Sequence, residues 1–210
     1  MKLGTGNSLA QIIALILVPV IAKIYGPENY GLLSLFTVTV SILSVLTTFK
    51  YELAIVPGYE KNNHITLIRI CFILILIFSM VWALIVSVSG EIVLSLFNAT
   101  ELMAVKYMVG LGVLLSSLEI SYRFFIIAHE DYNFLVIFNI VRQVTYQVVA
   151  IALGSFRATH TSLIFSFLVG YVISVTTAGL KYFKGILTPL QPPIWEVLIE
   201  NKSFPQIQTL

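Results

Sequence analysis

The sequence is poor in charge and in cysteine. Only 10% of its 210 residues are Asp, Glu, Lys or Arg, against roughly 25% in a soluble domain. The single cysteine, Cys71, excludes an intrachain disulfide and argues against a thiolate metal cluster. It lies in the apolar run 70–77 and reads as a small packed or lipid-facing residue. His64, His129 and His160 fall in three separate expected loops. His129-Glu130-Asp131 lacks the helical spacing of a zinc protease motif and reads as a solvated turn, so no metal and no cofactor is expected. There is no glycine-rich phosphate cradle and no basic run, and a net charge of +2 gives nucleic acid no footprint. Alternation with period two is absent too, which excludes strands and a β-barrel reading.

What fills the chain instead is apolar. Hydrophobic residues make up 58% and the mean hydropathy is +0.96, more apolar surface than a soluble core can hide. The bilayer is therefore the solvent, and the fold class is an all-α membrane protein with a bundle of about six transmembrane helices. The expected spans are 3–24, 32–56, 67–89, 105–128, 134–154 and 161–180. The breaks between them carry turn chemistry, as in Tyr25-Gly26-Pro27-Glu28-Asn29, Pro57-Gly58 and Gly90-Glu91. The run 9–24 lacks a small-x-small cleavage site and is expected to stay as the first helix. The bundle is expected over 1–184, with 185–210, rich in proline, as an interfacial or cytoplasmic tail.

Lys2, Lys61, Arg69, Lys181, Lys184 and Lys202 collect on one side of this arrangement and Lys23, Lys106 and Arg157 on the other. The bias puts the first side, with both termini, in the cytoplasm. The helices also differ in character. The third is apolar on every face and suits lipid contact. The last places Gly170, Ser174 and Ala178 at four-residue steps, a small-residue stripe for close helix packing.

Five ionisable residues fall within expected spans: Lys50 and Glu52 in the second, Glu119 and Arg123 in the fourth, Arg142 in the fifth. Each costs a few kcal/mol at mid-bilayer and needs a partner, a wet cavity or a short reach to the interface. Lys50, Arg123 and Arg142 stand roughly 9, 8 and 12 Å from the inner ends of their helices, so snorkelling competes with function for the first two. Asn139, Arg142, Gln143 and Tyr146 recur at three- and four-residue steps and form one polar face. Glu119 precedes Arg123 by four residues, the favourable order for an ion pair, and is either a structural partner or a protonatable site that releases Arg123. Glu52 is the other coupling candidate. In the first span Asn7 and Gln11 line one face near the inner end.

Pro19-Val20-Ile21-Ala22-Lys23-Ile24-Tyr25-Gly26-Pro27-Glu28-Asn29-Tyr30-Gly31, followed by Lys50-Tyr51-Glu52-Leu53-Ala54-Ile55-Val56, resembles the start of the bacterial polysaccharide biosynthesis (O-antigen type) flippase family. That family belongs to the multidrug/oligosaccharidyl-lipid/polysaccharide exporter superfamily. Asn139-Ile140-Val141-Arg142-Gln143 and Ser203-Phe204-Pro205 extend the similarity over nearly the whole chain. The resemblance implies the N-terminal half of a fold of two six-helix bundles around a central cavity. It implies translocation of an undecaprenyl-pyrophosphate-linked oligosaccharide across the bacterial inner membrane, with cations holding the pyrophosphate. Lys50, Glu52 and Arg142 match the family's charged positions, although Lys50 stands where arginine is commoner, trading a bidentate fork for a point charge. Arg142, Lys50 and Arg123 are the expected substrate-binding residues. Half a cavity cannot alternate alone, so the chain is expected to be a truncated or partial flippase, or one that pairs with a second six-helix half. The alternatives are a multidrug-type exporter half, a membrane enzyme of polysaccharide assembly, which would need catalytic residues on longer loops, and a non-transporting scaffold.

Overall fold

A computed structural model describes residues 2–55, 61–96 and 100–186. They form five long helices, α1 (Lys2–Thr48), α2 (Lys61–Leu96), α3 (Lys106–Ala128), α4 (Tyr132–Phe156) and α5 (His160–Ile186), with short 3-10 helices at Tyr51–Ile55 and Thr100–Val105. No strand occurs among the described residues. The segments Ile16–Thr48, His64–Ile92, Lys106–Ala128, Tyr132–Phe156 and His160–Tyr182 are each long and apolar enough to cross a membrane. The chain is a multi-pass, all-α membrane bundle, because in hydrocarbon a helix satisfies its own backbone and little else can.

The expected count of about six spans is corrected to five among the described residues. Two of the expected spans, 3–24 and 32–56, fall largely on α1, and the turn expected between them is a break inside a helix. One residue carries the break. Gly26 sits at φ 76° and ψ 164°, a region that only glycine enters without steric cost. Asn29 Nδ2 donates to the Tyr25 carbonyl oxygen at 2.8 Å and ties the two sides of the kink together. Polar turn residues thus signal a change of direction here, but the change needs no loop.

Three further expectations shift. The second expected span runs to residue 56, whereas α1 stops at Thr48. Phe49 and Lys50 take left-handed φ values of 50° and 63°, and the 3-10 helix follows. Lys50 and Glu52 therefore lie beyond the helix. Hydropathy misses this end because the 3-10 turn itself is buried at Glu52 and Ile55. The break expected at Gly90-Glu91 is a distortion at Ser89 inside α2. From 187 onward the expected tail lies outside the described residues.

Two apolar clusters hold the bundle together. One gathers Ile21, Tyr25, Phe36, Val113, Leu115, Tyr146 and Leu168. The other gathers Ile68, Cys71, Tyr122, Phe125, Phe138 and Ala178. Tyr25 Oη donates to the Ala150 carbonyl oxygen at 2.8 Å and locks α1 to α4. Cys71 is fully buried, so the packed reading of it holds. α2 is the least buried of the spans, with Ile73, Ile77, Leu84 and Val88 exposed, as its all-round apolar surface predicts.

The turn between α3 and α4 is solvated as expected at Glu130, which is exposed, while His129 and Asp131 are partly packed. Glu130 takes a left-handed φ of 54°, and the His129 ring lies 4.1 Å from Phe125 and 5.8 Å from His64, centre to centre. Asp131 caps α4 by accepting from the Phe134 N–H at 3.3 Å, pairs with Lys181 and accepts from Tyr182 Oη at 2.8 Å. Partial burial pushes its carboxyl up, but the hydrogen bonds from Lys181, Tyr182 and Phe134 outweigh this and hold it below the ordinary value of 3.8.

Two stability measurements in detergent check these readings. Gly26→Ala is expected to cost about 1–3 kcal/mol through backbone strain alone, since a Cβ there meets nothing within 4 Å. Gly31→Ala, equally open but helical, should be neutral or stabilising; equal effects of the two would refute the kink. Asp131→Ala should cost about 1 kcal/mol by losing cap and ion pair, and Asp131→Asn less, because asparagine still caps. A lowered native pKa means that the unfolded chain binds more protons as pH falls. The advantage of wild type over Asp131→Asn should therefore be full at neutral pH and vanish as the pH drops through and below about 3.8. A gap that persists in acid would remove the ion pair as its cause.

Candidate functional site

Between the two apolar clusters lies a charged layer. On α3, Glu119 falls between Leu115 and Tyr122; on α4, Arg142 falls between Phe138 and Tyr146; on α5, Tyr171 falls between Leu168 and Ala178. The three meet. Glu119, with a side chain only 4% exposed, pairs with Arg123 one turn along its own helix. The same carboxylate oxygen lies 3.7 Å from Arg142 Nε on the neighbouring helix. Arg142 Nη1 donates to Tyr171 Oη at 3.3 Å, and its guanidinium carbon stands 5.2 Å from the centre of the Tyr171 ring, a cation–π contact.

The small-residue stripe of α5 makes this convergence possible. Gly170, Ser174 and Ala178 are all buried. A Cβ on Gly170 would come within 2.8 Å of the Arg142 carbonyl oxygen and 3.1 Å of Tyr146 Cβ. The bare backbone of Gly170 therefore abuts the backbone that carries Arg142, and the next residue, Tyr171, reaches its guanidinium. Close packing and the polar site are one arrangement.

Chemically, one carboxylate faces two guanidiniums, which leaves the layer with net positive charge and unused N–H donors. The side chains of Arg123 and Arg142 are 33% and 26% exposed, so both remain reachable while their carboxylate partner is not. A buried carboxylate facing two forks leaves donors over: an anion with its own planar or tetrahedral oxygens can take the N–H groups that the carboxylate does not use.

The other sequence-predicted residues are dispersed. Lys50 is exposed just beyond the end of α1 and joins no described ion pair. Glu52 is buried, its Oε2 without a hydrogen-bond partner among the described residues, and sits near Cys71, itself near Ser121. Asn139 and Gln143 are half-buried. Tyr146 is buried, its ring 5.9 Å from Phe167 in an edge-on contact. Asn7 and Gln11 fall on α1 in a stretch whose side chains lie outside the described residues. Of the three cations expected to share a site, Arg123 and Arg142 do so and Lys50 does not.

Two residues were missed. Gln147 is fully buried, with neither amide atom hydrogen-bonded among the described residues; it continues the face of Gln143 by one turn, so the periodicity that found Arg142 could have reached it. Tyr171 carries no sequence pattern of its own beyond its place beside Gly170. No cluster of three potential metal ligands occurs among the described residues.

A charged layer buried between apolar ones, in a bundle with lipid outside, defines a multi-pass membrane protein with a polar interior. Its family follows from comparison: the family model described as polysaccharide biosynthesis protein matches residues 2–192, and the chain belongs to that family. Searches of curated proteins and of solved structures find no match.

Removing Glu119 leaves two guanidiniums facing each other without a counter-charge. Glu119→Ala is expected to destabilise the purified protein by about 3–5 kcal/mol, the cost of breaking a buried pair. Adding Arg142→Leu to Glu119→Ala should recover part of that loss. Additive effects in this double-mutant cycle would show that the two side chains are not coupled.

Proposed function

We propose that this protein takes part in moving an undecaprenyl-pyrophosphate-linked oligosaccharide across the bacterial inner membrane during surface polysaccharide biosynthesis, and that it breaks no bond of its cargo. The observation that carries the reading is the Glu119, Arg123 and Arg142 layer, a net-positive site inside a bundle that belongs to a polysaccharide biosynthesis family. Lipid does not tolerate such charge without a use or a partner, and one carboxylate compensates only one of the two cations. Arginine forks suit the oxygens of a pyrophosphate.

In this reading the end of the bundle that carries Lys50, Lys61, Arg69 and Lys181 faces the cytoplasm, where positive residues accumulate, and the end with Lys23, Lys106 and Arg157 faces outward. Lys50, exposed at the inner end, attracts the anionic headgroup. Arg142 and Arg123 then offer the pyrophosphate the N–H donors that Glu119 leaves unused, while the carboxylate stays paired. When the cargo leaves, the carboxylate still lies against both guanidiniums and the empty site is not left with two unpaired charges. Tyr171 keeps Arg142 oriented throughout. A second helical bundle supplies the opposite wall of the cavity, as alternating access requires.

The test is substitution of Arg142 in the native host. Charge-assisted hydrogen bonds to an ionised group contribute about 1.5–3 kcal/mol, so Arg142→Gln is expected to reduce surface polysaccharide by more than about tenfold while the protein still inserts at wild-type abundance. Arg142→Lys should retain an intermediate level, because it keeps the charge and loses the fork. Unchanged surface polysaccharide in the Arg142→Gln strain would overturn the assignment of the site. Loss of drug resistance with normal polysaccharide would instead favour a multidrug exporter.

A further inference from the structure

α2 and α3 leave a groove between them of about 280 Å³, lined by none of the residues of the charged layer. Its hollow comes from small residues: Ser79 and Ala83 one turn apart on α2, and Gly110 on α3. Its walls are the apolar chains of Leu76, Met80 and Leu111, all of them exposed at the surface of the bundle. In a membrane, this surface meets acyl chains. From Leu76 to Val86 the groove follows α2 for about 15 Å at the helical rise, which is the depth of one hydrocarbon leaflet.

The groove ends at a cation. Lys106, the first residue of α3, lays its stem across the bare backbone of Gly90, its Cδ 3.4 Å from where a Cβ would stand. Its ammonium lies 5.2 Å from the centre of the Tyr107 ring. None of the ion pairs among the described residues includes Lys106, and the N-terminus of α3 adds its own positive end. A leaflet-deep apolar channel that opens at a lysine beside an exposed tyrosine suits an acyl chain with an anionic headgroup.

We infer that this groove binds an anionic phospholipid, with one acyl chain lying along Ser79, Ala83 and Gly110 and the phosphate at Lys106. The site is separate from the Glu119 layer, and its occupancy stands or falls independently of what the protein transports. A lysine near an anionic surface contributes about 1 kcal/mol, so the headgroup preference is modest, about fivefold, while the fit of the chain supplies the place.

The experiment is native mass spectrometry of the full chain in detergent, titrated with phosphatidylglycerol or with phosphatidylcholine of identical acyl chains. Wild type is expected to retain one phosphatidylglycerol with about fivefold preference. Lys106→Gln should bind both lipids equally and weakly. Gly110→Leu should lose retention of both and still melt no lower than wild type, because a Cβ at Gly110 meets nothing within 4 Å and leucine favours a helix over glycine. Equal retention of the two lipids by wild type, a preference that survives Lys106→Gln, or wild-type binding by Gly110→Leu would each overturn the proposal. So would self-association of the wild-type chain that Gly110→Leu abolishes, since the occupant would then be protein.

Discussion

The carboxylate of Glu119 is nearly sealed from solvent and holds two guanidiniums from two helices. In water such a cluster would contribute little; between two apolar clusters it dictates geometry, because the buried carboxylate cannot be left unpaired without a penalty of several kcal/mol. The consequence runs through the fold. α3 must present Glu119 and Arg123 on one face, α4 must bring Arg142 to the same level, and α5 must come close enough for Tyr171 to steady it. The apolar clusters above and below are continuous packing surfaces that fix the register at which the charges meet. Hydrophobic packing supplies the stability, and the charged layer supplies the alignment.

Much of this was legible in the residues. The bilayer as solvent, the helical class, the lipid-exposed character of α2, the packing role of Gly170, Ser174 and Ala178, and the pairing of Glu119 with Arg123 all follow from composition or from periods of three and four. These are local quantities, and hydrocarbon leaves the backbone so few alternatives that local reading suffices. What escaped was of two kinds. Helix ends inside apolar runs escaped because hydropathy measures burial, and the 3-10 turn after Thr48 is as buried as a helix; Lys50 and Glu52 were displaced for that reason. The break at Gly26 reads as a loop in the sequence because a polar turn and a single-residue kink share the same amino acids.

The second kind is contact between helices. Nothing in the spacing of α3 and α4 says that Arg142 meets Glu119, or that Tyr171 on α5 is the third partner, because the crossing of the helices decides it. The face of Asn139, Arg142, Gln143 and Tyr146 was visible; its opposite number was not. Membership of a polysaccharide biosynthesis family is consistent with such a division of labour, in which an apolar exterior carries the protein in the membrane and an inner face carries its chemistry.

Gly170 gives that division a consequence for inheritance. It touches no charge and would bind no cargo, yet any side chain placed there must push α5 away from the Arg142 backbone and carry Tyr171 with it. A survey of natural variants that looked only for ionisable residues would pass over it. A lineage could exchange one of its arginines for lysine and keep some charge in the layer, but at position 170 there is no smaller residue to fall back on, and the first substitution is also the last.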